Sequence, residues 1–311
     1  MKPYDALMRL VAVVLVLLLG GCSAAPAPAT PSGPPPDTSS LRQLDDHPLW
    51  TMRFEGDYDR MKNVTQPTPT TPFGCSLFAT NDANDPLFAR NFDWDPAPAM
   101  LLFTDPADGY ASASMVDLSY LGVTDPGAER DKLADAPLLP FDGMNEKGLA
   151  IGLAAVPDAQ PGSRPERPTV GSVRIIRLVL DKAATVEEAK RVFEEHNVDF
   201  DGGPPLHYLV ADATGKSVAI EFVDGEVVAL PTQAAVNFTL SGTDEESRNA
   251  DSRYRTATEG LSPGMDWRAA MDLLSEVQQG HTQWSVVYGL KDRTVRVATD
   301  KRFDEVHELR L

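Results

Sequence analysis

With 311 residues, 42% hydrophobic and 24% charged, the chain is long enough for one large hydrophobic core or two small ones, and its composition is that of an ordinary globular protein. Its formal net charge of −18 excludes nucleic acid as an expected partner, because phosphate binding needs clustered Lys and Arg and no such cluster occurs. The histidines His47, His196, His207, His281 and His307 are scattered without metal-ligand spacing, so neither a metal nor another cofactor is expected.

The chain opens as an export signal. Lys2 and Arg9 flank the start, Leu10 to Leu19 is an unbroken apolar run too short to span a bilayer comfortably, and Leu19-Gly20-Gly21-Cys22 follows. LGGC before Ser23 resembles the lipobox of bacterial lipoproteins, which implies removal of residues 1–21, lipidation of Cys22 and a location on the outer face of the bacterial cell membrane. Ser23 to Ser40 is rich in Pro, Ala and Ser; it cannot build a core and reads as a tether, within 22–44, reaching on the order of 50 Å at about 3.1 Å per residue. If Cys22 carries lipid, Cys75 has no disulfide partner. A lone thiol in an oxidising compartment calls for a reason, although free cysteine is often only a small buried hydrophobe.

Folded structure is expected from about Asp45. His47 to Tyr58 has strand character, and Lys62 to Pro72 is turn-like. Ser76 to Thr80 and Leu87 to Trp94 read as strands joined by the turn NDANDP. More strands are expected at Met100 to Thr104, Ala111 to Ser119 and Leu149 to Val156. Val173 to Ala183 and Val186 to His196 read as helices, the second opened by Thr185 with Glu188 three residues on. Strands return at Leu206 to Ala213, Ser217 to Val223, Glu226 to Pro231 and Ala235 to Leu240, a helix spans Trp267 to Gln279, and the last strands are Gln283 to Leu290 and Thr294 to Thr299. Strand runs alternating with helical pairs, without a strict βαβ rhythm, predict an α+β fold of antiparallel sheets covered by helices.

The Gly74-Cys75 step makes chemical sense as a cleavage site. Attack of the Cys75 thiol on the Gly74 carbonyl breaks the chain there, and glycine tolerates the geometry because it lacks a Cβ. Cys75 is left with an α-amine of unperturbed pKa about 7.7 to 8.0, a base able to activate its own thiol. A papain-like Cys–His pair stays open from the residues alone, but the local context expected of it is absent. Taken singly, Arg90 and Asp93 read as a hairpin salt bridge, Asn237 as a turn or strand-edge residue, Asn145 as a turn residue, and His207 and Glu221 as structural.

The run from Cys75 to Trp94, with Arg90 and the ending R-N-F-D-W, resembles the start of the choloylglycine hydrolase and penicillin V acylase family of N-terminal nucleophile (Ntn) hydrolases. FDGMNEKGLAIGL (Phe141 to Leu153), LHYLVADATGKSVAIEF (Leu206 to Phe222), AVNF, SRYR and WSVVYGLK (Trp284 to Lys291) occur in that family's order. HPLWTMRFEGDY is similar to pro-segments of the isopenicillin N acyltransferase-like and acid ceramidase-like branches. The resemblance implies a four-layer αββα sandwich, a pro-segment at 45–74 that packs on the core, and a catalytic domain at 75–311. It implies Cys75 as nucleophile and, through its amine, base; Arg90 and Asp93 as orienting groups; Asn237 as oxyanion-hole donor; and Arg253 as a holder of the site's charge pattern. Where bile-salt and penicillin branches place a polar side chain after the GLAI segment, this chain has Ala154 and Ala155, which argues against assuming either substrate.

The expected activity is hydrolysis of a linear, non-peptide C–N amide of a small N-acyl substrate through an acyl-Cys75 thioester. The alternatives are an acyltransferase using the same acyl-enzyme, and a non-catalytic binding lipoprotein that never cuts Gly74-Cys75. Acyl and amine parts of the substrate and the oligomeric state stay open.

Overall fold

The computed structural model describes residues 37–64, 74–200 and 202–311. The signal segment 1–21, Cys22 and most of the tether lie outside these residues, as does 65–73, which holds most of the turn-like stretch before Gly74.

In chain order, β1 (Arg42–Gln43) and β2 (Leu49–Phe54) precede the hairpin of β3 (Gly74–Ala79) and β4 (Leu87–Asp93). Next come β5 (Ala99–Thr104), β6 (Ser112–Asp117), 3-10 helices at Leu118–Leu121 and Arg130–Leu138, β7 (Asp142–Asn145) and β8 (Ala150–Ala155). β9 (Thr169–Gly171), α1 (Arg174–Lys182), α2 (Val186–Glu194) and β10 (Asn197–Asp199) follow, then β11 (Leu206–Ala211), β12 (Ser217–Val223), β13 (Glu226–Pro231) and β14 (Ala234–Ala235). The chain continues through α3 (Glu245–Ala250), α4 (Ser252–Gly260), α5 (Trp267–Glu276), β15 (Thr282–Gly289), β16 (Thr294–Thr299) and β17 (His307–Arg310).

These strands form a nine-stranded sheet, β1-β2-β5-β6-β7-β8-β11-β12-β13, and a six-stranded sheet, β14-β3-β4-β15-β16-β17, with β9 and β10 paired separately. Pairing is antiparallel except between β2 and β5 and between β9 and β10. The sheets face each other, β3 against β8 and β11; α1 and α2 cover the nine-stranded sheet, while α4 and α5 cover the six-stranded one. The fold is therefore α+β, a four-layer αββα sandwich.

Period-two alternation builds the inner layer. From β3 and β4, Cys75, Leu77, Phe88 and Phe92 join the core between the sheets, whereas Phe78 and Ala89 join a second core under α4 and α5 with Tyr254, Met271 and Leu274. Gly152 on β8 lets the facing sheet come close: a Cβ there would stand 2.8 Å from Leu77 Cδ2. On α2 the residues Val186, Ala189, Val192 and Phe193 are buried. Thr185 caps the helix by accepting from the Glu188 N–H (3.2 Å), and the Glu188 carboxylate reaches back to the Ala184 N–H (2.7 Å).

Several expectations need correction. The strand expected over Ala235 to Leu240 stops at Ala235, because buried side chains take the backbone groups that a ladder would use. His207 Nε2 donates to the Val236 carbonyl (2.8 Å), and the Glu221 carboxylate accepts from the N–H groups of Leu240 (2.6 Å) and Ser241 (2.7 Å). A further strand, β17, lies beyond Thr299; its polar sequence HELR alternates between half-buried and exposed on a sheet edge. α3 and α4 are likewise polar, and each is started by an aspartate cap, Asp244 and Asp251.

Candidate active site

Cys75 stands at the second position of β3, directly across from Phe92 of β4, with its side chain fully buried between the sheets. Arg90, two residues along β4 from Phe92, faces the same layer, and its Nη2 donates to Cys75 Sγ at 3.0 Å. The other end of that guanidinium is fixed: Nη1 donates to the Phe141 carbonyl (2.9 Å) and to Asp142 Oδ2 (3.1 Å). Asp142 is itself fully buried and also accepts from Tyr288 OH (2.5 Å) and Trp284 Nε1 (3.2 Å). Burial pushes the Asp142 carboxyl up, opposed by Arg90 and these donors.

Asp93 is three residues from Arg90, so strand alternation sends it to the opposite face, and the two do not pair. It lies across from Gly74, and its carboxylate accepts from Gln279 Nε2 and Thr282 Oγ1, both at 2.5 Å. Space here is tight: a Cβ on Gly74 would meet Gln279 Nε2 at 2.2 Å and Asp93 Cβ at 2.9 Å. Glycine at this position follows from that closeness.

Asn237 and Arg253 complete the cluster from the six-stranded side. Asn237 Oδ1 accepts from the Cys75 backbone N–H (2.9 Å) and from Arg253 Nη1 (3.0 Å), while its Nδ2 donates to the Ala155 carbonyl (2.9 Å). That last bond sets the amide's orientation, since the Ala155 carbonyl can only accept. Arg253, in the first turn of α4, also donates to the Cys75 carbonyl at 2.9 Å. The structure thus brings Arg90, Asn237 and Arg253 into direct contact with Cys75 and sets Asp93 beside Gly74. The Asn237 side chain thus holds the backbone nitrogen of Cys75.

Burial pushes the Cys75 thiol up to about 11, against the pull of Arg90 and Arg253 and with Asp93 adding to the rise. The thiol is therefore protonated in this state. His207 does not partner it, because its ring nitrogens are engaged by Glu221 Oε1 (3.0 Å) and the Val236 carbonyl (2.8 Å).

Asp142, Trp284, Tyr288, Gln279 and Thr282 had no role assigned from sequence. Asp142 and the two aromatics lie inside FDGMN and WSVVYGLK, where an aspartate among apolar strand residues was the available signal. Gln279 and Thr282 had none, for their role depends on how the turn after α5 meets β4.

The sequence profile of the acyl-coenzyme A:6-aminopenicillanic acid acyl-transferase family matches residues 80–302. The chain belongs to that family. The match takes in Arg90, Asp93, Asn237 and Arg253 and begins beyond Cys75. Penicillin V acylase from Pectobacterium atrosepticum is 27% identical over 173 residues, 50% of this chain and 46% of the relative; the chain spans about half the length of the curated relatives it matches. Among solved structures, penicillin V acylase from Agrobacterium tumefaciens aligns with a TM-score of 0.54 at 18% identity, covering 76% of this chain and 86% of that one. A cysteine-to-alanine variant of conjugated bile acid hydrolase from Clostridium perfringens aligns with a TM-score of 0.57 at 16% identity, covering 76% and 92%. At these identities the structural likeness establishes the shared Ntn-hydrolase fold.

Proposed function

We propose that this protein is a self-processed N-terminal-cysteine amidohydrolase acting on linear amides of small N-acyl compounds. The observation that carries this reading is that the Cys75 backbone nitrogen, the atom that would become the α-amine, is held by Asn237 while the thiol beside it accepts from Arg90. In processing, the thiol sulfur adds to the Gly74 carbonyl carbon, the Gly74–Cys75 C–N bond breaks, and the departing nitrogen takes a proton to become the amine. Water then hydrolyses the thioester, leaving a Gly74 carboxylate and a free Cys75 thiol. In turnover the amine takes the thiol proton as sulfur attacks the substrate carbonyl and returns it to the leaving nitrogen; water ends the cycle at the acyl-Cys75 thioester. Arg90 and Arg253 supply positive charge near the sulfur and the reacting carbonyl, where preorganised donors commonly contribute on the order of 10² to 10³ in rate.

Intact mass spectrometry tests the reading. Wild type should yield a heavy fragment of 311−74=237 residues beginning at Cys75, and Cys75→Ala should remain one inactive chain. An active wild type still joined at this bond would overturn it. The family's own description, an acyl-transferase, favours a second ending in which an amine intercepts the acyl-enzyme; acyl transfer outpacing hydrolysis when hydroxylamine is added would select it. The reading includes export and anchoring through lipid on Cys22, supported by LGGC and the Pro-rich tether.

A further inference from the structure

His207 and Glu221 form a buried pair, 1% and 2% exposed, one step beyond the Tyr208–Ile220 pair that β11 makes with β12. Every polar side-chain atom of the pair is engaged. Glu221 Oε1 accepts from the Leu240 N–H (2.6 Å) and lies 3.0 Å from His207 Nδ1, Oε2 accepts from the Ser241 N–H (2.7 Å), and His207 Nε2 lies 2.8 Å from the Val236 carbonyl. Burial raises the Glu221 carboxyl, but its donors outweigh that and hold it down at about 2, so it is ionised. An ionised carboxylate and a backbone carbonyl can only accept, so both ring nitrogens of His207 must donate. A ring with two N–H groups is the imidazolium.

Both members of this pair grip the loop after β14, which carries Asn237. β14 pairs with β3 through Ala234–Phe78 and Ala235–Leu77, and the Ala79 N–H donates to the Gln233 carbonyl (2.8 Å). Continued by two residues, this register would set Asn237 opposite Cys75, and the alternation that gives Ala79 a main-chain acceptor would give the Cys75 N–H one at the Asn237 carbonyl. The ladder stops at Ala235 instead, and the Cys75 N–H donates to the Asn237 side chain, at Oδ1 (2.9 Å). A side-chain acceptor turns about bonds that a ladder carbonyl lacks, so its aim depends on how firmly its own backbone is fixed. The peptide that enters Asn237 is the one whose carbonyl His207 holds.

We propose that His207 is a positioning residue for the Cys75 site: as a buried imidazolium paired with Glu221, it fixes the Val236–Asn237 peptide and so aims the Asn237 side chain at the Cys75 nitrogen, an inference that rests on the amidohydrolase reading above where it concerns processing. Around the ring, β12 presents Glu221, β8 presents Ala154 across from it, the loop presents main chain, and β3 carries Cys75 as its one titratable side chain. Arg248 of α3 binds the loop's far end through the Leu240 and Thr243 carbonyls. A neutral ring would turn a bare nitrogen toward one of two acceptors, and one of the two bonds would be lost.

Nuclear magnetic resonance on the full chain carrying Cys75→Ala tests the geometry without asking for activity. With nitrogen-15 histidine, the ring signals that vanish in His207→Gln should show two protonated nitrogens at neutral pH; a single protonated nitrogen overturns the proposal. Exchange of the residue 75 amide hydrogen should quicken about tenfold or more in His207→Gln, while the Ala79 amide, bonded to the Gln233 carbonyl, stays within about twofold. His207→Gln combined with Glu221→Gln, which replaces the ion pair by two amides, serves if the single variant fails to fold. In the chain that keeps Cys75, His207→Gln should slow appearance of the heavy fragment about 10- to 100-fold. Quickened exchange at residue 75 beside a wild type that never cuts sinks the amidohydrolase reading and keeps the positioning role. Unchanged exchange at residue 75, an equal rise at Ala79, or unchanged processing in a chain that does cut overturns that role.

Discussion

Asp142 and Gly74 shape the surroundings of Cys75, one through Arg90 and the other through its closeness to Asp93. Asp142 balances the buried Arg90, so Asp142→Ala leaves a desolvated guanidinium unpaired and should cost about 3 to 5 kcal/mol of stability; chemical denaturation checks this. Asp142→Asn keeps the shape and should fold, yet release Arg90 from its fixed orientation and slow appearance of the heavy fragment on a denaturing gel by at least about tenfold. Gly74→Ala places a Cβ against Gln279 and Asp93, and the uncut chain should accumulate in a folded form; unchanged processing would show that the closeness at Gly74 is idle. Glu221 gives a pH test. Burial raises its carboxyl, but bonds from His207, Ser241 and Leu240 outweigh that and hold it down at about 2, below its ordinary 4.5. Its contribution is therefore complete above pH 4.5 and is lost as pH falls through about 2, a change on the order of 3 kcal/mol. Glu221→Gln should flatten this part of the acid-unfolding curve while lowering stability at neutral pH.

At the scale of elements, long strands with clear alternation were legible: β12, β13 and β16 begin and end where the pattern places them. Polar elements such as β17 and α3 were not, because an edge strand and a solvated helix carry little hydrophobic period. The loop after β14 was misread for a different reason: residues remote in sequence, His207 and Glu221, capture its backbone groups, and local propensity does not record that. The same limit hid Gln279 and Thr282, whereas the cluster of Cys75 with Arg90, Asn237 and Arg253 was legible through short motifs. The segment before Gly74 is part of the architecture. β2 pairs with β5 over Leu49 to Phe54, Arg60 Nε meets the buried Asp181 at 2.5 Å, and Asp45 accepts from Thr299 Oγ1 (2.7 Å) and His307 Nε2 (2.9 Å). After processing, the light and heavy fragments should co-purify without denaturant. Leu49 and Met52 are the most buried side chains of β2, so Leu49→Ala with Met52→Ala should cost about 2 to 5 kcal/mol each and let the heavy fragment elute alone.

For the whole molecule, the proposed lipid at Cys22 and the nucleophile at Cys75 fall on opposite sides of the proposed cut. Wild type should incorporate labelled fatty acid and sediment with membranes, and Cys22→Ala should do neither; equal labelling of both would remove the anchor from the reading. The parallel pairing of β2 with β5 has a further consequence. While the chain is whole, β2 is delivered to its sheet by a covalent linker that acts as a high local concentration, and docking is a unimolecular event. If the proposed cut at Gly74 is made, the same docking becomes an encounter between two molecules. A protein cut there would be a product of its history, able to keep its shape but poorly able to regain it. Denatured Cys75→Ala should refold with a yield independent of protein concentration, whereas denatured processed enzyme should recover activity only as concentration rises.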